Sequence, residues 1–156
     1  MLRLLGNGNP MLADDLKTLL ASNFAYYVKA QMFHWNVEGP DFVQLHELFA
    51  NIYEFAYSGH DKIAEYIRTL DDYAPGSLER FVELSQISGQ TKIPRARLML
   101  EELLSDTETM KTLVMTTFQS AQQEGREDVA NFMAERQDGL GKWAWQIRST
   151  LKDSRA

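Results

Sequence analysis

The chain has 156 residues, no cysteine, 22 acidic against 16 basic side chains and a formal charge of −6. That length suits one domain, residues 1–156, with a substantial core; the missing thiols exclude disulfides and sulfur-bound metals and fit a reducing cytoplasm. The acidic balance argues against a generic nucleic-acid binder, whose affinity comes from Lys and Arg neutralising phosphates.

Met1 to Pro10 has an apolar pair flanking Arg3, then Gly6-Asn7-Gly8-Asn9-Pro10, far short of a signal peptide's apolar region. No run approaches the ~20 apolar residues of a membrane span. The expectation is a soluble, cytoplasmic protein with no membrane partner.

Residues 11 to 36 lack Gly and Pro, and Leu16, Leu20, Phe24, Tyr27, Gln31 and His34 recur at steps of three and four. This predicts a first long helix whose core stripe ends on His34. Glu38-Gly39-Pro40 stops it, Gly permitting a left-handed turn and Pro suiting the next helix start. A second helix is predicted from about Asp41 to Leu70, with Leu45, Phe49, Ile52, Ala56, Gly59, Ile63 and Leu70 toward the core. On its wheel His46, Ala50, Tyr53, Glu54, Tyr57, Asp61 and Glu65 share another sector, so this helix has two faces to hide.

Residues 71 to 93 form a longer connection in which Ser77-Leu78-Glu79-Arg80-Phe81 reads as a short capped helix. From Pro94 to Gln123 the stripe Ala96, Leu100, Leu103, Thr107, Met110, Val114, Thr117 and Ala121 predicts a third helix, closed by Gly125. A fourth runs from about Arg126 to Leu151, carrying Val129, Phe132, Met133, Leu140, Trp143 and Ile147. Four long helices with one long crossover, and a short helix inside it, make an all-α four-helix bundle in the ferritin-like order.

His34, His46, Asp61 and Glu65 are the candidate metal ligands. At a rise of ~1.5 Å per residue, His46 and Asp61 lie roughly 22 Å apart along one helix, so no ion reaches both within a single chain. If two such helices pair antiparallel about a two-fold axis near Glu54, the histidines of one subunit meet the carboxylates of its mate, and the isologous interface makes two equivalent sites. Tyr53 and Tyr57 lie on the face this partner would cover. Two imidazoles and two carboxylates suit iron, zinc or manganese; the mixture leaves room for a redox-active iron, and zinc fits nearly as well. The Glu-x-x-His pairs of an intrachain di-iron bundle are absent, since Gln31, Val43 and Tyr57 stand three residues before His34, His46 and His60.

At these residues the chain resembles the Dps family, the twelve-subunit miniferritins. The resemblance is carried by His34-Trp35-Asn36-Val37-Glu38-Gly39-Pro40-Asp41-Phe42, His46-Glu47, Asp61-Lys62-Ile63-Ala64-Glu65 and Trp143-Ala144-Trp145-Gln146-Ile147-Arg148, and so spans nearly the whole chain. It implies a hollow homododecamer with ferroxidase activity: an oxidoreductase that oxidises Fe(II), preferably with hydrogen peroxide, at dimer-interface sites, stores Fe(III) inside and relieves oxidative stress. Two departures qualify it. The family's aspartate one turn after the second histidine is Ala50 here; Glu54 is too far along the helix to replace it and Glu47 reaches only in a strained direction, so one metal site is expected to be retained and a second weakened. The lysine-rich arm with which many members coat DNA is missing, and twelve acidic copies repel DNA. The alternative is a structural or DNA-associating cage with lost or weakened ferroxidase activity.

Other residues have simpler readings. Three-fold pores in such a cage would be lined by acids near Gly125, with Glu124, Glu127 and Asp128 as candidates; a solvated loop and a helix-start charge bias read equally well. His60 points about 100° from Asp61 and reads as a surface or interface residue. Trp35, Trp143 and Trp145 are most simply core and interface aromatics, with Trp35 beside His34 the candidate electron acceptor.

Overall fold

The computed structural model describes residues 9–153. These hold six helices and no strand: α1 (Asn9–Asn36), α2 (Phe42–Tyr57), α3 (His60–Thr69), α4 (Leu78–Leu84), α5 (Ala96–Gln123) and α6 (Glu127–Leu151). α1 packs on α2 and α5 on α6 as two hairpins with short turns, and α1 against α5 joins them; α1 also touches α3 and α4. This is the all-α bundle with a helix in its crossover, where the Ser77 hydroxyl caps α4 by accepting from the Arg80 amide at 3.1 Å.

The predicted stripe of α5 is buried from Leu100 to Ala121, with Ala96 half-buried. Its two threonines return their hydroxyl protons to the carbonyls one turn back, Thr107 to Leu103 at 2.7 Å and Thr117 to Leu113 at 2.8 Å, so neither buries an unpaired donor. α5 ends in a full Schellman turn: Gly125 takes φ +71°, its amide bonds the Gln122 carbonyl, and the Arg126 amide bonds Ala121 O at 2.8 Å. Gly39 turns the other hairpin at φ +123°.

Two expectations are corrected. In α1 the fully buried stripe runs through Leu12, Leu16, Leu19, Tyr26, Ala30 and Phe33. Phe24, Tyr27, Gln31 and His34 are only half-buried, so His34 does not continue the core stripe and stands at its edge. The second helix is not continuous from Asp41 to Leu70. It breaks at Ser58-Gly59, where the Gly59 amide bonds Ala56 O at 3.1 Å in place of Phe55 O. The freed Phe55 carbonyl accepts from Arg136 Nη2 and from Ser58 Oγ, both at 2.7 Å, and Ala56 O accepts from Asn23 Nδ2 at 2.8 Å. Arg136 lies on α6 and Asn23 on α1, and both are buried, so the break is held from two sides of the bundle.

Gly59 leaves room for this: a Cβ there would lie 2.9 Å from the Arg136 guanidinium. The crossover is fastened across α1 by the Gln86 amide on Ser22 Oγ at 2.9 Å, and Lys17 binds Asp72 at 2.8 Å. No helix among the described residues is long and apolar enough to cross a membrane.

The Phe55 ring is held between the Arg136 guanidinium, 3.7 Å from its centroid, and Gly139, where an added Cβ would overlap it. Gly139→Ala is expected to lower stability, because overpacking costs about 1–3 kcal/mol against a gain of ~1 kcal/mol for alanine over glycine in a helix. Gly141→Ala, whose Cβ meets nothing within 4 Å, should show the gain alone. Urea denaturation of both variants tests this; stabilisation by both would mean that the Phe55 ring is free to move.

Candidate metal centre

His34 lies on the last turn of α1 and His46 on the second turn of α2, and the Gly39 turn lays them side by side. Their rings stack at 3.8 Å between centroids and 16° between planes. His34 Nδ1 bonds the backbone carbonyl of His46 and His46 Nδ1 bonds that of His34, each at 2.7 Å. A carbonyl only accepts, so both Nδ1 atoms donate. In the neutral rings each Nε2 therefore keeps its lone pair for a metal, with tautomer and orientation fixed by the backbone. Phe42 stacks on the other side of His46 at 5.0 Å, and the Tyr53 ring meets His34 edge-on at 5.3 Å.

Imidazole lone pairs lie in the ring plane, and two nearly parallel planes at this separation cannot both contain an ion ~2.1 Å from each nitrogen. The arrangement fits one imidazole per ion.

Asp61 and Glu65 are one turn apart on α3, both exposed. The chain does not bring them to the histidines: among the described residues no three His, Asp or Glu side chains gather in a metal-binding group. Half-buried Ala50 follows His46 by one turn and offers no donor, while Glu47 and Glu54 are exposed. Around the two half-sites lie exposed Trp35, Phe42, Val43 and Tyr57.

His60, expected at the surface or at an interface, does not stand free in the chain. It is half-buried among Phe24, Tyr27 and Tyr57, with ring centroids at 5.4, 5.5 and 5.6 Å. Burial lowers its pKa, a bond to the Asn23 backbone opposing this, and its buried Nε2 has no hydrogen-bond partner among the described residues. Trp35 is 64% exposed; besides His46, the ring against His34 is that of Tyr53. Sequence reading missed Tyr27 as the hub of these contacts, although its place two turns before His34 mirrors that of Tyr53 two turns after His46.

Two of the three acids near Gly125 are engaged. Asp128 takes both a 3.0 Å and a 2.9 Å bond from Arg126, which holds its carboxyl below the usual range. Glu124 turns toward the start of α1 and accepts from the Leu12 amide at 3.3 Å; desolvation raises its pKa. Glu127 is exposed and has no such partner among the described residues.

The ferritin-like domain family matches residues 13–156, and this match and the bundle place the chain in that class. A Bacillus anthracis protein named DNA protection during starvation protein 2 is 27% identical, over 92% of this chain and 98% of that one. A Dps protein from Bacillus brevis superposes with TM-score 0.89 at 26% identity, covering 93% of this chain and 97% of that one. A Vibrio cholerae Dps protein, described as a member of a broad superfamily of ferritin-like diiron-carboxylate proteins, superposes with TM-score 0.88 at 26% identity, covering 93% and 91%. Within the ferritin-like class the chain belongs to the Dps family.

Long-range 15N–1H correlation spectra of the histidine side chains should show His34 and His46 protonated at Nδ1 and bare at Nε2 in the neutral protein. An Nε2-protonated tautomer at either residue would break the proposed lock.

Proposed function

We propose that the chain is one subunit of a hollow homododecamer that takes up Fe(II), oxidises it with hydrogen peroxide at sites shared between two-fold-related subunits, and stores the Fe(III) inside. Iron is here the substrate and cargo. The observation that carries this reading is the pair of backbone-locked imidazoles whose Nε2 lone pairs are unshared, on a chain whose own carboxylates do not reach them. Asp61 and Glu65 of a two-fold mate would supply the missing charge, as the isologous arrangement requires. The donor set of nitrogen and oxygen without sulfur suits iron and admits zinc, and the Vibrio cholerae neighbour's description as a diiron-carboxylate relative agrees.

With one imidazole per ion, the retained position belongs to His34 with the mate's Asp61 and Glu65. The position at His46 is the weakened one, because Ala50 follows it by one turn and removes the nearest carboxylate. The mate's carboxylates would neutralise Fe(II) while His34 holds it through Nε2, and oxidation is tied to assembly because the site exists only between subunits. Ala50 also favours the second reading, a structural or DNA-associating shell with weakened ferroxidase activity. The formal charge of −6 per chain opposes direct DNA binding at physiological salt. Glu127 is the acid best placed to serve a pore, and the cytoplasm is the compartment that supplies Fe(II).

Complementation tests the shared site. His34→Ala and Asp61→Ala should each abolish rapid Fe(II) oxidation with helicity unchanged. Co-assembly of equal amounts from denaturant should restore about a quarter of wild-type activity, because mixed pairs carry one intact site of two. No recovery in mixed shells would remove the intersubunit assignment. In an anaerobic Fe(II) titration the wild type should bind one iron tightly per site and Ala50→Asp two; two tight irons in the wild type would contradict the weakened second position.

A further inference from the structure

Rings form a continuous path through the subunit from His34 to His60, the residue before Asp61. The Tyr53 ring lies 5.3 Å from His34, Tyr27 lies 6.0 Å from Tyr53, and Tyr57 and His60 lie 5.4 and 5.5 Å from Tyr27. His60 precedes Asp61 in the chain and closes the path at 5.6 Å from Tyr57. Each step is a ring contact between centroids of the kind that packed aromatics make. The three tyrosine hydroxyls make no hydrogen bond among the described residues, unlike that of the neighbouring Tyr26, which is bonded to Thr107 Oγ1 at 2.6 Å and fully buried.

We propose that Tyr53, Tyr27, Tyr57 and His60 are an electron relay joining the two half-sites of one chain, through which two irons at separate sites together reduce one hydrogen peroxide. This rests on the intersubunit sites proposed above. Because Asp61 and Glu65 serve the mate's site, the path within one chain begins at one site of the dimer and ends at the other.

The electron count supplies the reason for it. Peroxide needs two electrons to become water, and a site with one tightly held iron delivers one. Fe(II) becomes Fe(III) as the O–O bond breaks to hydroxide and hydroxyl radical. A relay tyrosine then gives one electron and its phenolic proton to the radical, making water and a tyrosyl radical. Fe(II) at the far site returns an electron to the relay, and a solvent proton restores the phenol. Neutralising the hydroxide takes a second solvent proton. The sum is two Fe(II), one peroxide and two protons to two Fe(III) and two waters, with the tyrosines unchanged and no hydroxyl radical released. The relay would let a shell lacking a second tight iron beside the first still consume peroxide safely.

The test uses the assembled shell, ferrous iron and hydrogen peroxide, with wild type, Tyr53→Phe and Tyr27→Phe. Phenylalanine keeps the ring packing and removes the redox-active hydroxyl. Rapid freezing after mixing should trap, in the wild type, an electron paramagnetic resonance signal that narrows when the tyrosines are ring-deuterated. Tyr53→Phe should abolish this signal, raise spin-trapped hydroxyl radical several-fold and shift consumption from two Fe(II) per peroxide toward one. Tyr27→Phe should strand the radical on Tyr53 and lengthen its lifetime several-fold. Anaerobic Fe(II) binding should be unchanged in both variants. A wild type that binds and oxidises iron without a tyrosyl signal, or variants matching it in signal and stoichiometry, would overturn the relay and leave the site reading intact. A wild type that binds no Fe(II) would overturn the site reading itself, and the relay with it.

Discussion

The Arg136 guanidinium on the broken turn at Ser58-Gly59 is the interaction on which the candidate site depends. It is a buried cation that bonds the Phe55 carbonyl and Ser58 hydroxyl and stacks on the Phe55 ring, so backbone and side-chain dipoles and a ring face stand where a carboxylate usually would. Burial pushes its pKa down to about 10, still high enough to keep the charge at neutral pH. The energy of leaving that carbonyl unpaired, of order 1–3 kcal/mol, explains why the break needs a fixed donor. Because α3 starts anew after the break, the direction in which Asp61 and Glu65 project is set by this contact and by Asn23 across the bundle. A helix running straight through would aim them differently.

The same economy of charge recurs along α1. Lys29 is buried and lies 2.9 Å from Glu102 and 2.8 Å from Asp106 on α5, which joins the two hairpins by one cation held between two carboxylates; desolvation raises the Asp106 pKa, opposed by Lys29. At the start of the helix Glu124 accepts an amide bond near the positive end of the dipole. Both contacts hold α1 against α5, and α1 also carries His34 and Tyr27. The rigidity of the imidazole pair thus follows from helix placement, since each ring is bonded to the backbone of the other's helix.

Legibility from sequence followed the number of neighbours each helix has. The α5 stripe was readable because that helix buries one main face, so steps of three and four pick out its core residues. α1 touches α2, α3, α4 and α5, and apolar residues occupy most of its circumference; a path through Leu20, Phe24 and Tyr27 is as regular as the buried one through Leu19, Tyr26 and Phe33. The break in the second helix was not readable, because Gly59 alone costs only ~1 kcal/mol in a helix and the groups that hold the break open lie at residues 23 and 136. Spacing predicted that the four ligand candidates cannot meet within one chain, and among the described residues no such group gathers, while the tautomer lock and the stacked rings required the turn geometry.

Tyr26 and Tyr27 show how one helical step separates structural from chemical use of the same side chain. The 100° between them sends Tyr26 into the core, where burial raises its pKa and Thr107 holds its hydroxyl. Such a phenol gives up its proton with difficulty and is suited to packing. Tyr27 faces the edge shared by α2 and α3, touches Tyr53, Tyr57 and His60, and keeps its hydroxyl outside the core network. Ala50, which offers no donor beside His46, lies on the same helix as Tyr53, three residues before it. A shell that gave up a paired second iron would need its second electron from elsewhere, and the nearest redox-active side chain to His34 in the ring contacts is that tyrosine.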